Sequence, residues 1–133
     1  MKKILVLLAA SILCFGAMAA EPVRETKQTQ QVMKPGSDYS IIKDETKNGI
    51  RYITAKPSEI VCSRQIEIQV KGDVIQSVIY TGGCNGNAKG IGALIEGMTV
   101  DEAIKRLDGI TCGRRPTSCP DQLAKVLRAA FKK

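Results

Sequence analysis

Four cysteines and the complete lack of histidine set the chemistry open to this chain of 133 residues. Cys62, Cys84, Cys112 and Cys119 lie beyond the N-terminal segment, and a fifth, Cys14, lies within it. Without histidine there is no Ser-His or Cys-His nucleophilic pair, and metal ligands must be thiolates or carboxylates. Three chemistries suit four cysteines in a small domain. They are two disulfides, a closed four-thiolate site for zinc or an iron–sulfur cluster, and a redox pair of Cys112 with Cys119. The intervals of 21, 27 and 6 intervening residues match no short zinc-finger pattern, and the stretch TCGRRPTSC lacks a C-x-x-C arrangement.

The neighbours of these cysteines narrow the reading. Cys84 stands in TGGCNGNAKG just before a predicted helix, and Cys119 opens another. Helix N-termini carry partial positive charge, and reactive or metal-binding cysteines favour such places. Arg114 and Arg115 add positive charge beside Cys112 and Cys119. The chain is therefore expected to gather its strand ends, two helix starts and the loop at 111–118 at one pole. Asp121 is the carboxylate best placed to serve as an extra ligand; its plainer role is the acid of a helix first turn. Gly83, Asn85 and Gly86, with Arg114 and Arg115, form a weaker candidate for anion binding, because the glycine-rich stretch follows a strand and opens a helix. It lacks the GK[ST] ending and the βαβ setting of a phosphate loop, so a tight strand-to-helix turn explains its glycines more simply.

The elements that must position these residues are legible from periodicity. YSIIKDE and IRYITA flank Asn48-Gly49, a strong hairpin turn signal. In CSRQIEIQV, Cys62, Arg64, Ile66, Ile68 and Val70 share a parity, which predicts a half-buried strand with all five on one face. Lys71-Gly72-Asp73 turns it, and VIQSVIYT returns, which makes Cys62 and Cys84 neighbours at the open end of a hairpin. The period then changes. Ile91, Leu94, Ile95 and Met98 predict one amphipathic helix, Val100, Ala103, Ile104 and Leu107 a second, and Leu123, Val126, Leu127 and Ala130 a third. Thr99 with Glu102 is a capping box, and Ser118-Cys119-Pro120-Asp121 is a helix start. The expected fold is α+β: a small antiparallel sheet, a β-hairpin plus one or two strands, followed by three helices packed on one face.

The N-terminal segment reads differently. MKKILVLLAASILCFGAMAA has two lysines, a short apolar run and Ala17-Met18-Ala19, the pattern of a secretory signal peptide at residues 1–20. Cleavage would leave about 114 residues and export the domain to the periplasm or beyond, with no transmembrane segment in the mature chain. Residues 21–49 read as a polar tether or partly ordered arm, and residues 50–133 as the folded domain. Removing Lys2 and Lys3 takes the net charge from +7 to +5. That mild basicity suits solubility and names no partner. Two Phe, three Tyr and no Trp argue against a base-stacking surface for nucleic acid.

CSRQIEIQV, TGGCNGNAKGI, LIEGMTVDEAIKRLDGITCG and RPTSCPDQLAKVL together resemble the TSCPD domain family, over about Arg51 to Phe131. The resemblance implies an association with ribonucleoside-diphosphate reductase and deoxyribonucleotide synthesis, since the same domain is found at the C-terminus of vitamin-B12-dependent reductases. It implies a nucleotide or a reductase subunit as partner. A chain that buries one small core is expected to be an accessory module, binding metal or nucleotide, and not a complete reductase. An exported, disulfide-stapled binding domain is the alternative. The order of cysteines and elements is also similar, more distantly, to U-type iron–sulfur cluster scaffold proteins. That likeness implies a scaffold-like fold with cluster ligands at Cys62, Cys84 and Cys119, and Cys112 as a fourth. The scaffold family's aspartate two residues after the first cysteine is Arg64 here.

Overall fold

The computed structural model describes residues 38–131. The signal peptide expected at 1–20 and the arm up to residue 37 lie outside the described residues. Four strands come first: β1 (Ser40–Lys47), β2 (Ile50–Lys56), β3 (Ser63–Lys71) and β4 (Val74–Gly82). Three helices follow: α1 (Asn85–Ile95), α2 (Val100–Leu107) and α3 (Cys119–Phe131). The strands form an antiparallel meander in the order β1-β2-β3-β4. This is a small α+β fold, strands first and helices after.

Local sequence explains the turns. Asn48 and Gly49 both adopt positive φ, 51° and 77°, as a two-residue hairpin between twisted strands requires. β1 pairs along β2 and so belongs to the sheet, which means the folded part begins upstream of residue 50. Arg51 fastens this first hairpin to the last residue of α3. Its guanidinium grips Asp44 through two bonds of 2.7 and 2.6 Å and lies 4.5 Å from the centre of the Phe131 ring.

The core lies between sheet and helices. Ile53, Ile66, Ile68, Ile75, Leu123 and Leu127 are almost wholly buried in it. Each such side chain contributes about 1.5–3 kcal/mol through removal from water. The α1–α2 connection closes the start of β4: Ile75 N–H donates to Met98 O at 2.8 Å and Val100 N–H to Asp73 O at 2.7 Å. Among the described residues no helix is long and apolar enough to cross a membrane.

Two expectations need correction. The single parity from Cys62 to Val70 does not hold. The β3–β4 register slips between Ser63 and Gln65, so Ser63 is buried while Cys62 and Arg64 are exposed. A β-bulge puts one extra residue in a strand and reverses which side chains face inward beyond it. Leu94 is likewise not core: it is 73% exposed, although it falls at helical spacing with Ile91 and Ile95. The cause is Gly92, which meets β4 so closely that a Cβ there would lie 2.7 Å from Val78 O. That contact turns α1 about its axis, burying Gly92 and Ile95 and leaving Leu94 outside.

Candidate functional site

The four cysteines come from four separate segments. Cys62 precedes β3, Cys84 is the N-cap residue of α1, Cys112 lies in the loop between α2 and α3, and Cys119 is the first residue of α3. All four line one cleft of about 410 Å³. Its walls are completed by Tyr80, Gly83, Gly86, Ile91, Leu94, Ile110 and Ser118. Cys62, Cys84 and Cys112 are exposed, Cys119 is half-buried, and all four are free thiols.

β-Pairing brings the first two together. Ser63 pairs with Gly82, and a Cβ on Gly83 would lie 3.3 Å from Cys62 Cβ. Gly82 and Gly83 have φ of 80° and 78°, so the chain can fold sharply past Cys62 and enter α1 at Cys84.

Cys119 is positioned by its own motif. Ser118 Oγ accepts from Asp121 N–H at 3.3 Å and donates to Ile110 O at 2.6 Å, capping α3 and tying down the loop before it. Asp121 is 3% exposed. Its carboxylate accepts from Gly109 N–H at 2.7 Å, from Thr117 Oγ1, and from Lys125 Nζ at 3.1 Å. Burial pushes this carboxyl up, but those bonds outweigh it and hold it below the usual carboxylate range. Gln122 is wholly buried, donating to Thr117 Oγ1 and accepting from Ser58 N–H, each at 2.9 Å. Of the five residues Thr117 to Asp121, threonine, serine and aspartate thus hold the loop and helix start, and the cysteine faces the cleft. Asp121 does not line the cleft.

The electrostatics are set by neighbours of the sulfurs. Ser63 Oγ donates to Cys119 Sγ at 3.2 Å. Tyr80 Oη donates to Cys119 O at 3.3 Å, and burial, then the nearby Cys119, pushes its phenol well above the usual range. Arg115 Nη1 donates to Cys62 Sγ at 3.2 Å. That bond, then the neighbouring sulfurs, holds the guanidinium more firmly protonated than usual. The anion-binding candidates divide. Gly83 and Gly86 line the cleft; Asn85, Arg114 and Arg115 do not, although Arg115 bonds to Cys62 at its rim.

An all-sulfur donor set suits a soft cation in kind, zinc or iron before calcium or magnesium. As the side chains stand, no group of three or more Cys, Asp or Glu among the described residues is placed to hold a metal ion. Arg64 is exposed on the bulge.

Sequence periodicity did not point to Ser63, Tyr80, Thr117 or Gln122. For Thr117 and Gln122 the one available signal is composition: polar residues between Ile110 and Leu123, at the start of an otherwise apolar helix face. No curated protein and no solved structure matches the chain significantly. The family model of the TSCPD domain matches residues 27–131, beginning ahead of the four-stranded sheet and ending with α3. The chain therefore belongs to the TSCPD domain family.

Proposed function

We propose that the domain is an accessory cysteine-cluster module that binds a soft cation such as zinc through Cys62, Cys84, Cys112 and Cys119. The observation that carries this reading is that four cysteines from four chain segments line one cleft whose lining holds no carboxylate; to hold a cation their side chains must turn toward one another. Thiolates satisfy a soft cation without other help, and such a site contributes directly to folding when filled. The cleft and the thiol chemistry serve a ribonucleotide-reductase-type system, by the family's association, without performing the reduction. One small core cannot enclose a radical reaction. This reading calls for a cytoplasmic location; the signal-peptide pattern at residues 1–20 favours export and so the second reading.

A second reading is an exported binding domain stapled by disulfides. It is favoured by the close approach of Cys62 to Gly83, which brings Cys84 beside it, and by the oxidising compartments that a leader implies.

The test uses protein purified from its native compartment without reductant. Free thiols are counted under denaturing conditions, and metal is measured on the same sample. Four free thiols with about one zinc or iron per chain support the module. No free thiols and no metal support the stapled domain.

A further inference from the structure

We propose that Arg115 is a built-in counter-cation of the thiol cleft. Its guanidinium engages Cys62 while no soft cation is bound and is displaced when one binds, so it sets how tightly the cleft takes such a cation. The inference rests on the cation-binding reading above.

The backbone prepares this role. Arg115 N–H donates to Cys112 O at 3.1 Å, and the two residues form an isolated antiparallel bridge. Gly113, with φ of 60°, allows the tight reversal between them. Arg115 therefore starts from the same turn that carries Cys112 and reaches across to Cys62, where Nη1 lies 3.2 Å from Sγ. One side chain links two of the four cysteine-bearing segments.

Charge makes the link competitive. No carboxylate lines the cleft, and at its rim the guanidinium is bonded to Cys62. Arginine stays protonated and cannot yield by losing its charge. A divalent cation brought to Cys62 meets a positive group within a few ångströms, and the two repel. Arg115 is exposed, so its side chain can swing out to water without repacking the core. The sulfurs are thus supplied with a weak, reversible partner that a stronger one removes.

The experiment titrates the reduced mature chain with cadmium alone and follows thiolate-to-metal charge-transfer absorbance. Wild type, R115Q, R114Q, C62S and the C62S/R115Q double variant are compared. R115Q is expected to bind about two- to fivefold more tightly than wild type, the range of an exposed ion-pair contact. R114Q removes the same charge one residue away and is expected to gain less. In the C62S background, R115Q is expected to bring no gain, because the contact is already gone. If R115Q binds no more tightly than wild type, or gains only as much as R114Q, the counter-cation role is overturned while cation binding stands. If no variant shows cadmium–thiolate absorbance, cation binding and the counter-cation role both fall.

Discussion

Ser63 Oγ donates to Cys119 Sγ across 3.2 Å, joining the first residue of β3 to the first residue of α3. The two residues are 56 positions apart in the chain. Ser63 is buried, so this bond anchors the half-buried cysteine to the sheet while the other three stay at the exposed rim. Replacing Ser63 with alanine leaves the sulfur without its donor and opens little space. S63A is expected to lower stability by about 1 kcal/mol, the usual net worth of one hydrogen bond, read as a lower urea midpoint with an unchanged slope.

Gly92 and Gly90 make a paired test of how α1 sits. A Cβ at Gly92 would lie 2.7 Å from Val78 O, whereas one at Gly90 meets nothing within 4 Å. G92A is expected to destabilise the fold by about 1–3 kcal/mol, because the helix must move off β4. G90A is expected to stabilise it by about 0.5–1 kcal/mol, because alanine loses less backbone freedom in a helix. Equilibrium denaturation of both variants checks the opposite signs.

Leu127 and Leu94 separate core from cleft rim. Leu127 is wholly buried, and L127A is expected to cost about 2–5 kcal/mol. Leu94 is 73% exposed, and L94A is expected to change stability by no more than about 0.5 kcal/mol. Thermal unfolding distinguishes them, since helical spacing alone would assign both to the core.

That pair shows where sequence reading succeeds and where it stops. The Asn48-Gly49 hairpin, the β3–β4 hairpin and the apolar face of α3 are written in residues a few positions apart, and local pattern reveals them. The nearness of Cys62 and Cys84 follows from hairpin register in the same way. The bulge at Arg64 and the rotation of α1 about Gly92 depend on contacts with β4, whose partners are distant in sequence. The TSCPD stretch reads locally as a helix start that carries a cysteine. Only its contacts with Gly109, Ile110 and Lys125 reveal that Ser118 and Asp121 build the platform on which Cys119 stands.

Asp121 makes that platform sensitive to acid. Its folded-state pKa is depressed, so its contribution is fully present above the ordinary aspartate value and lost as pH falls through the lower folded value. D121N keeps the size but loses the charge that Gly109 N–H, Thr117 and Lys125 meet. It is expected to be about 1–3 kcal/mol less stable than wild type at neutral pH. The gap is expected to narrow as pH drops below the usual carboxylate range. Denaturation curves across that range measure it, and a gap independent of pH would rule out the charged role.

The proposed zinc chemistry requires four thiols to act as one binding site. Calorimetric titration of the reduced protein with zinc, beside C62S, C84S, C112S and C119S, tests this. One zinc per chain is expected in the wild type, with a loss of affinity of at least about tenfold in every variant, as removal of one ligand from a four-thiolate site requires. Zinc binding that survives any of the four substitutions unchanged, or no binding by the wild type, would contradict it.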